Sequence, residues 1–527
     1  MKKAICLLLS LLLMVCSFAG CGGGSTASTF TVALGSDIVS LDPAFAYDFT
    51  TNPVVNQITE GLLTFDQDNQ LQPCLAKSWE QKDDVTYVYQ IRDDVTFSDG
   101  TPMTMDDVMF SIERTMNPDT ASYVQWMFSA VKAVEQTGDW ELTVTLNAPS
   151  VTWKYMFGTT AGHIISKDYY EAHKDNFGTP EGGILGTGAY QYDSWKRGQE
   201  VVLVKNENYW NTETPATMEK LVFKIISEDT TRVTALQSGQ VDFTIEVPTD
   251  MIDTLRSSEN ITLESVDTMG ITYLAFNTQR APFDDVNLRR AISCAIDRES
   301  LQKNITKDAG TIGTALPNSS VLFTSEPERW EEYAQSHPGY TYDLEKAKQL
   351  LTEAGYPDGG FDMQLTYMSS KEEHKKICEL YKSNLEQLGI SVEIIGMPWD
   401  QQWEKAKSTN PEDRQDWLII NWWPDVATPS SWFQSLYHSE DDIIFNMSYV
   451  NNPELDALIA EADKLSGNDR EAAAELYKQC GQLITDEAYS NFLTDLPITY
   501  IIRNNLKNFS EDPAYPYALF FYDFYRE

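Results

Sequence analysis

Trp417–Ile420 is an unbroken apolar run with paired isoleucines, the pattern of a strand buried on both faces. It leads into Trp422-Trp423-Pro424-Asp425, and then to Pro429 and Trp432. Two prolines without N–H donors predict that the segment after the strand is a loop. Elsewhere, strict alternation at Tyr87/Tyr89/Ile91 and at Leu142/Val144/Leu146 predicts half-buried strands, and Phe30–Leu34, Val201–Val204 and Leu221–Ile226 read the same way. The helical period appears in Met105–Met116, opened by a capping box of Thr104 and Asp107. It returns in Leu344/Ala347/Leu350/Leu351/Ala354, capped by Asp343 and ended by Gly355 with Pro357 beyond. Asn452 caps a further helix with Pro453 at its first position and Gly467 at its stop, and another runs from Asp469 to about Ala488. Strands and helices interleave without an internal repeat, which predicts an α/β protein.

Composition narrows the partners. The 527 residues exceed one hydrophobic core, and 42% hydrophobic with 12% aromatic content supplies several. A formal net charge of −40 repels polynucleotides and anionic headgroups, so no nucleic-acid partner is expected. The N-terminus has Lys2 and Lys3 before an apolar run from Ala4 to Val15, a length that suits a signal peptide and falls short of a bilayer span. Ala19-Gly20-Cys21 follows and resembles a bacterial lipobox, with Phe18 where Leu is preferred. Residues 1–20 are therefore expected as a signal peptide, Cys21 as the lipidated residue, and 21–28 as a Gly/Ser-rich tether to the membrane. Ordinary cleavage after Ala19 is the rival. Cys74, Cys294, Cys378 and Cys480 lie far apart without a Cys-x-x-Cys pair, so no zinc site is expected, and whether they form disulfides stays open.

Chemistry for catalysis is missing from the sequence. There is no Gly-x-Ser-x-Gly, no Gly-Lys-Ser/Thr phosphate loop and no His-Glu-x-x-His, and the five histidines are scattered. The glycine-rich Gly182–Gly188 does not fit the dinucleotide spacing and reads as a tight link. No metal or cofactor is expected, and the chain reads as a non-enzyme.

A series of segments carries a resemblance. LDP, PCLAKSWE, the tyrosine strand and IRDDVTFSDGTPMTMDDVMFSIER stand in the first third. LGTGAYQYDSWKRGQEVVLVKNENYW, LQSGQVDF, YLAFNTQRAPFDDVNLRRAISCAIDRESL, YDLEKAKQLLTEAGYPDGG and LEQLGISVEI follow in order. Together they resemble the family 5 extracellular solute-binding proteins, the oligopeptide-, dipeptide- and nickel-binding lipoproteins of ABC importers. The resemblance implies a bilobal periplasmic-binding-protein-like fold (type II, three-domain variant) with a hinge between the lobes. It places lobe I at 29–64, 186–273 and 489–527, an inserted domain at 65–185 and lobe II at 274–488. The hinge crossings are expected near Tyr273–Asn277 and Ala488–Phe492.

The same resemblance implies a function and a site. The chain would capture an oligopeptide, or another small solute, as a monomer at the outer face of the cytoplasmic membrane or in the periplasm, and deliver it to an ABC permease and its ATPase. Asp425 would pair with the ligand's α-ammonium, with Trp422 and Trp423 flanking it and Trp399 as a second wall. Tyr47 and Phe49 would line the opposite face, with Tyr123 from the inserted domain. Dipeptide binders of the family clamp the ligand carboxylate with an Arg before the helix that follows, whereas this chain has Met368-Ser369-Ser370-Lys371. That departure points to a longer peptide, to Lys371 as a substitute, or to an oligosaccharide suited to the tryptophans. A receptor passing a peptide signal, or a surface hydrolase, are the remaining alternatives.

Overall fold

The computed structural model describes residues 29–48, 50–66, 71–245, 251–307, 310–316, 332–333, 335–337, 339–408, 410–424, 426, 428–439, 445–466, 469–509 and 519–527. The expected signal peptide, Cys21, Phe49, Asp425 and the Gly467 stop lie outside the described residues.

The first described element is β1 (Thr29–Leu34), after which the chain leaves for a domain of its own. That domain holds a short hairpin, β2 (Leu63–Phe65) and β3 (Leu71–Pro73), and four antiparallel strands. These are β4 (Ala76–Asp83), β5 (Thr86–Ile91), β6 (Val131–Gly138) and β7 (Glu141–Leu146), in the order β4-β5-β7-β6. Tyr87, Tyr89 and Ile91 face one buried layer with Leu142, Val144 and Leu146, because alternate residues of a strand share a face. Helix Met105–Met116 covers that layer; Thr104 Oγ1 accepts from the Asp107 amide and the Asp107 carboxylate accepts from the Thr104 amide.

The return to the main sheet passes through Gly182–Gly188. A Cβ on Gly186 or Gly188 would collide with the carbonyl oxygens of Ile58 and Gln57, so only glycine lets the link lie this close. β8 (Tyr190–Lys196), β9 (Glu200–Lys205), β10 (Lys220–Ile225) and β11 (Phe243–Ile245) follow, then the 16-residue β12 (Ile261–Phe276). β13 (Asp362–Met368), β14 (Ser391–Met397), β15 (Trp417–Trp422) and the 14-residue β16 (Ser490–Arg503) complete a ten-stranded sheet. Its order is β14-β13-β15-β12-β16-β11-β1-β10-β9-β8.

Two long strands, β12 and β16, run through both halves of this sheet. At one end β16 pairs with β11 at residues 500–502; at the other β12 pairs with β15 at residues 271–276. The change of neighbours falls between Val266 and Gly270 on β12, opposite Leu496–Ile498 on β16. The crossings expected at Tyr273–Asn277 and Ala488–Phe492 lie at the ends of the same two strands, where β12 pairs with β15, and a second irregularity falls there, between Thr272 and Tyr273 opposite Thr494 and Phe492. The first irregularity stands beside Pro497, which has no N–H for the ladder.

β15 is buried on both faces. Trp417 and Ile419 pack with Leu274, Leu365 and Tyr381; Leu418, Ile420 and Trp422 pack with Trp432, Phe433 and Tyr477 on the other side. That accounts for its uninterrupted apolar sequence. The described residues directly after it, 423, 424, 426 and 428, are irregular as expected, but Pro429 opens a helix, Pro429–Tyr437, with the Thr428 side chain capping the Ser431 amide. Proline suits a first helical position, where its missing N–H would have no partner. Three of the four described cysteines (Cys294, Cys378, Cys480) are buried free thiols and Cys74 is half-buried. Among the described residues no helix is long and apolar enough to cross a membrane, and no group of three potential ligands could hold a metal ion.

Candidate ligand-binding cleft

β15 delivers two adjacent indoles to opposite sides. Trp422, 6% exposed, turns into the core of lobe II, edge-on to Trp432 at 5.7 Å and to Phe445 at 6.3 Å. Trp423, just past the last β15 pairing of Trp422 with Ile271, lies over Gly270: a Cβ at 270 would collide with the indole. Its Nε1–H donates to Thr268 Oγ1 at 3.2 Å. Beyond it Pro424 is buried, and Val426, 3% exposed, packs into the hydrophobic core of the inserted domain.

The residues expected on the opposite face belong to two segments that pack together, Asp42–Tyr47 and Ser122–Trp126. The Ala44 carbonyl accepts from the Tyr123 amide and from Ser122 Oγ, each at 2.9 Å. Tyr123 stands 52% exposed, edge-on to Phe45 at 5.3 Å, and half-buried Tyr47 meets Trp126 edge-on at 6.4 Å. On lobe II, Trp399 is the first residue of helix Trp399–Ala406, 43% exposed and tilted 32° against Trp403 at 5.1 Å. Trp403 in turn touches Phe445 at 5.7 Å. Trp126 was not singled out from the sequence; it stands in the 3-10 turn Gln125–Phe128, shortly after Tyr123.

Behind the lobe II wall sits a polar triad. Asn421 Oδ1 accepts from Thr272 Oγ1 and from His374 Nε2, both at 2.8 Å. Burial pushes the His374 imidazole down to about 4, although the bond to Asn421 opposes this. At the joint between lobe I and the inserted domain, Glu60 accepts from Trp210 Nε1 (2.7 Å), Thr187 Oγ1 (2.8 Å) and the Tyr209 hydroxyl (2.8 Å). Burial still raises its pKa, outweighing those donors. All three donors point inward to one carboxylate, which makes Glu60 a structural anchor.

The family model for bacterial extracellular solute-binding proteins, family 5 Middle, matches residues 70–443, well over half of the chain. This chain belongs to that family. It is therefore a family 5 solute-binding protein of ABC importers, a class of extracellular or periplasmic proteins whose work is binding and not catalysis. It is similar to heme-binding protein A of Haemophilus influenzae, 29% identical over 490 residues that cover 88% of this chain and 86% of that protein. It is also similar to the glutathione-binding protein GsiB of Shigella flexneri, 26% identical over 481 residues, 90% of this chain and 89% of the relative. Among solved structures, DppA of Helicobacter pylori in complex with the peptide STSA superposes with a TM-score of 0.80 at 23% identity, covering 95% of this chain and 98% of that one. The solute-binding fold thus spans nearly the whole described chain.

Proposed function

We propose that this solute-binding protein captures oligopeptides longer than two residues between its lobes and hands them unaltered to an ABC permease. The observation that carries this reading is the pair of Trp423, bonded to Thr268 on a crossing strand, and Val426, packed in the core of the inserted domain, on either side of the proposed Asp425. In the proposal Asp425, next in sequence to Val426, accepts the ligand's α-ammonium, while Trp423, Trp399, Tyr47, Phe49 and Tyr123 supply flat apolar walls. Trp422 is kept only as the support behind Trp423, since its ring is committed to the core. The absence of an Arg at Met368–Lys371 favours a peptide whose carboxylate is not buried there, because an unpaired buried carboxylate costs several kcal/mol. That DppA holds STSA, and that GsiB binds glutathione, support a peptide of this size. Lipidation at Cys21 is proposed as the tether, with the protein acting as a monomer.

Mass spectrometry of co-purified cargo, followed by calorimetry with a tri- to pentapeptide pool, tests the reading. Peptide cargo and binding near micromolar, about −8 kcal/mol, are expected. Asp425→Ala should weaken binding by about 3–5 kcal/mol, the cost of a buried ammonium left without its partner. Cello- or xylo-oligomers outcompeting the peptides would overturn the cargo assignment, and unchanged affinity in Asp425→Ala would remove that residue from the site.

A further inference from the structure

The place where β12 and β16 pass between the two halves of the sheet is irregular in a specific way. From Val266 to Gly270, β12 takes four steps while β16 takes two, from Ile498 to Leu496. The surplus backbone stands opposite Pro497, which offers the ladder no N–H. Thr268, 2% exposed, fills the gap with its side chain. Its hydroxyl donates to the Leu496 carbonyl at 2.6 Å and accepts from the Gly270 amide at 2.8 Å and from Trp423 Nε1 at 3.2 Å. One hydroxyl therefore ties the bulge of one crossing strand to the other strand and to Trp423.

Gly270 makes this contact possible. The indole of Trp423 lies where a Cβ would be, so any other residue at 270 must lift the ring away from Thr268. Further along, Val426 is fixed in the inserted domain. A bulged, two-strand crossing is where backbone angles change when lobes rotate. The ring that bridges it is that of Trp423.

We infer that Trp423, Gly270 and Thr268 form a latch that couples the seating of Trp423 and Val426 to the angle between the lobes. Trp423 is a positioning residue in this role: seated on Gly270, it holds the bulge in the geometry that brings Val426 onto the inserted domain. Displaced, it frees the crossing strands to open. A guest that fixes Trp423 and Val426 thereby favours closure, and closure in turn fixes them, since coupling between two such events is reciprocal. The inference rests on the cleft being the solute site, but not on the solute being a peptide.

The test uses the whole protein, stripped of cargo by unfolding and refolding. Small-angle scattering without ligand reads lobe opening, and calorimetry with the tri- to pentapeptide pool reads affinity. Gly270→Ala and Trp423→Ala should each increase the radius of gyration of the unliganded protein and weaken binding about tenfold. The double variant should be no more open than Trp423→Ala alone, because there is then no ring for the new methyl to displace. Thr268→Val, which keeps shape and loses the hydroxyl, should shift opening in the same direction by less, and it carries the test if Gly270→Ala does not fold. The latch is overturned if Gly270→Ala and Thr268→Val are both as compact as the parent, or if Gly270→Ala opens the protein equally with and without the indole. Scattering shifts as expected with no peptide binding would sink the cargo reading and leave the latch standing.

Discussion

The two walls proposed for the cleft carry similar aromatic groups on very different foundations. The wall of Asp42–Tyr47 and Ser122–Trp126 is held by a dense set of bonds: Ala44 and Ala46 carbonyls accept from Tyr123, Ser122 and Thr160, and Asp42 caps the Ala44 amide at 3.0 Å. Asp42 is itself gripped by Arg114, whose guanidinium lies over Tyr170 at 4.6 Å. The lobe II wall instead presents Trp423 from a loop whose base leans on the crossing strands, and Trp399 from the exposed start of a helix. The difference suggests a division of labour: a fixed surface on one side, and on the other a surface whose place depends on the hinge. Stability should be concentrated in the first, and conformational response in the second.

The largest effect should come from the ion pair beneath the fixed wall. The side chains of Arg114 and Asp42 are 10% and 3% exposed, so Arg114→Ala leaves a buried carboxylate without its partner. A loss of about 3–5 kcal/mol of unfolding free energy is expected in denaturant titration. Peptide affinity should fall with it, because Asp42 orients the Ala44–Tyr47 segment. If the unfolding midpoint stays put, this wall is not anchored where the bonds indicate, and the contrast with lobe II loses its basis.

Acid should reach the lobe II wall through His374. Its folded-state pKa is held down to about 4, against 6.5 when exposed, so the unfolded chain binds the proton first as pH falls. The contribution is complete above pH 6.5 and is lost progressively as pH drops toward 4, by up to about 3 kcal/mol. His163, bonded to Thr59 and pushed by burial to about 3, adds a loss of the same sign on the other side of the molecule. Glu60 works in the opposite sense: burial raises its pKa, so its protonated form is favoured by folding and stability falls as pH rises above 4.5 through the folded value. Unfolding titrations of the parent and His374→Gln at several pH values isolate the lobe II share. Curves that stay parallel through pH 6.5–4 would show that this imidazole does not carry it.

Local signals were the most legible part of the sequence. The Thr104/Asp107 capping box, the Asp343 and Asn452 caps and the alternating tyrosines of β5 each depend on neighbours within a few residues, and pattern alone places them. The tight link at Gly182–Gly188 was legible as a link, while its reason, carbonyls from residues 57 and 58, was not. The Thr268–Leu496 contact between the crossing strands was not legible, because it joins residues 228 apart. Trp422 and Trp423 show the same limit at one step of chain. Strand alternation says that they face opposite sides, but only the packing of Trp432 and Phe445 tells which side is core. Asp425 and Phe49 stay as sequence-based assignments, resting on the family resemblance.

The smallest expected effects compare the walls directly. Trp126 is 36% exposed and braced edge-on by Tyr47; Trp399 is 43% exposed and braced by Trp403 alone on its own helix. An indole already held in place loses less freedom on binding, so the same contact area yields more affinity on the fixed wall. Trp126→Ala should therefore weaken binding of the peptide pool by about 1–1.5 kcal/mol and Trp399→Ala by about 0.5–1 kcal/mol, read by calorimetry. Equal losses would mean that lobe II is held as firmly as the inserted domain once the cleft is occupied. A larger loss at Trp399 would invert the comparison and make the hinge-borne wall the principal grip. No loss at Trp126 would take that indole out of the site and leave the opposite face to Tyr47, Tyr123 and the proposed Phe49.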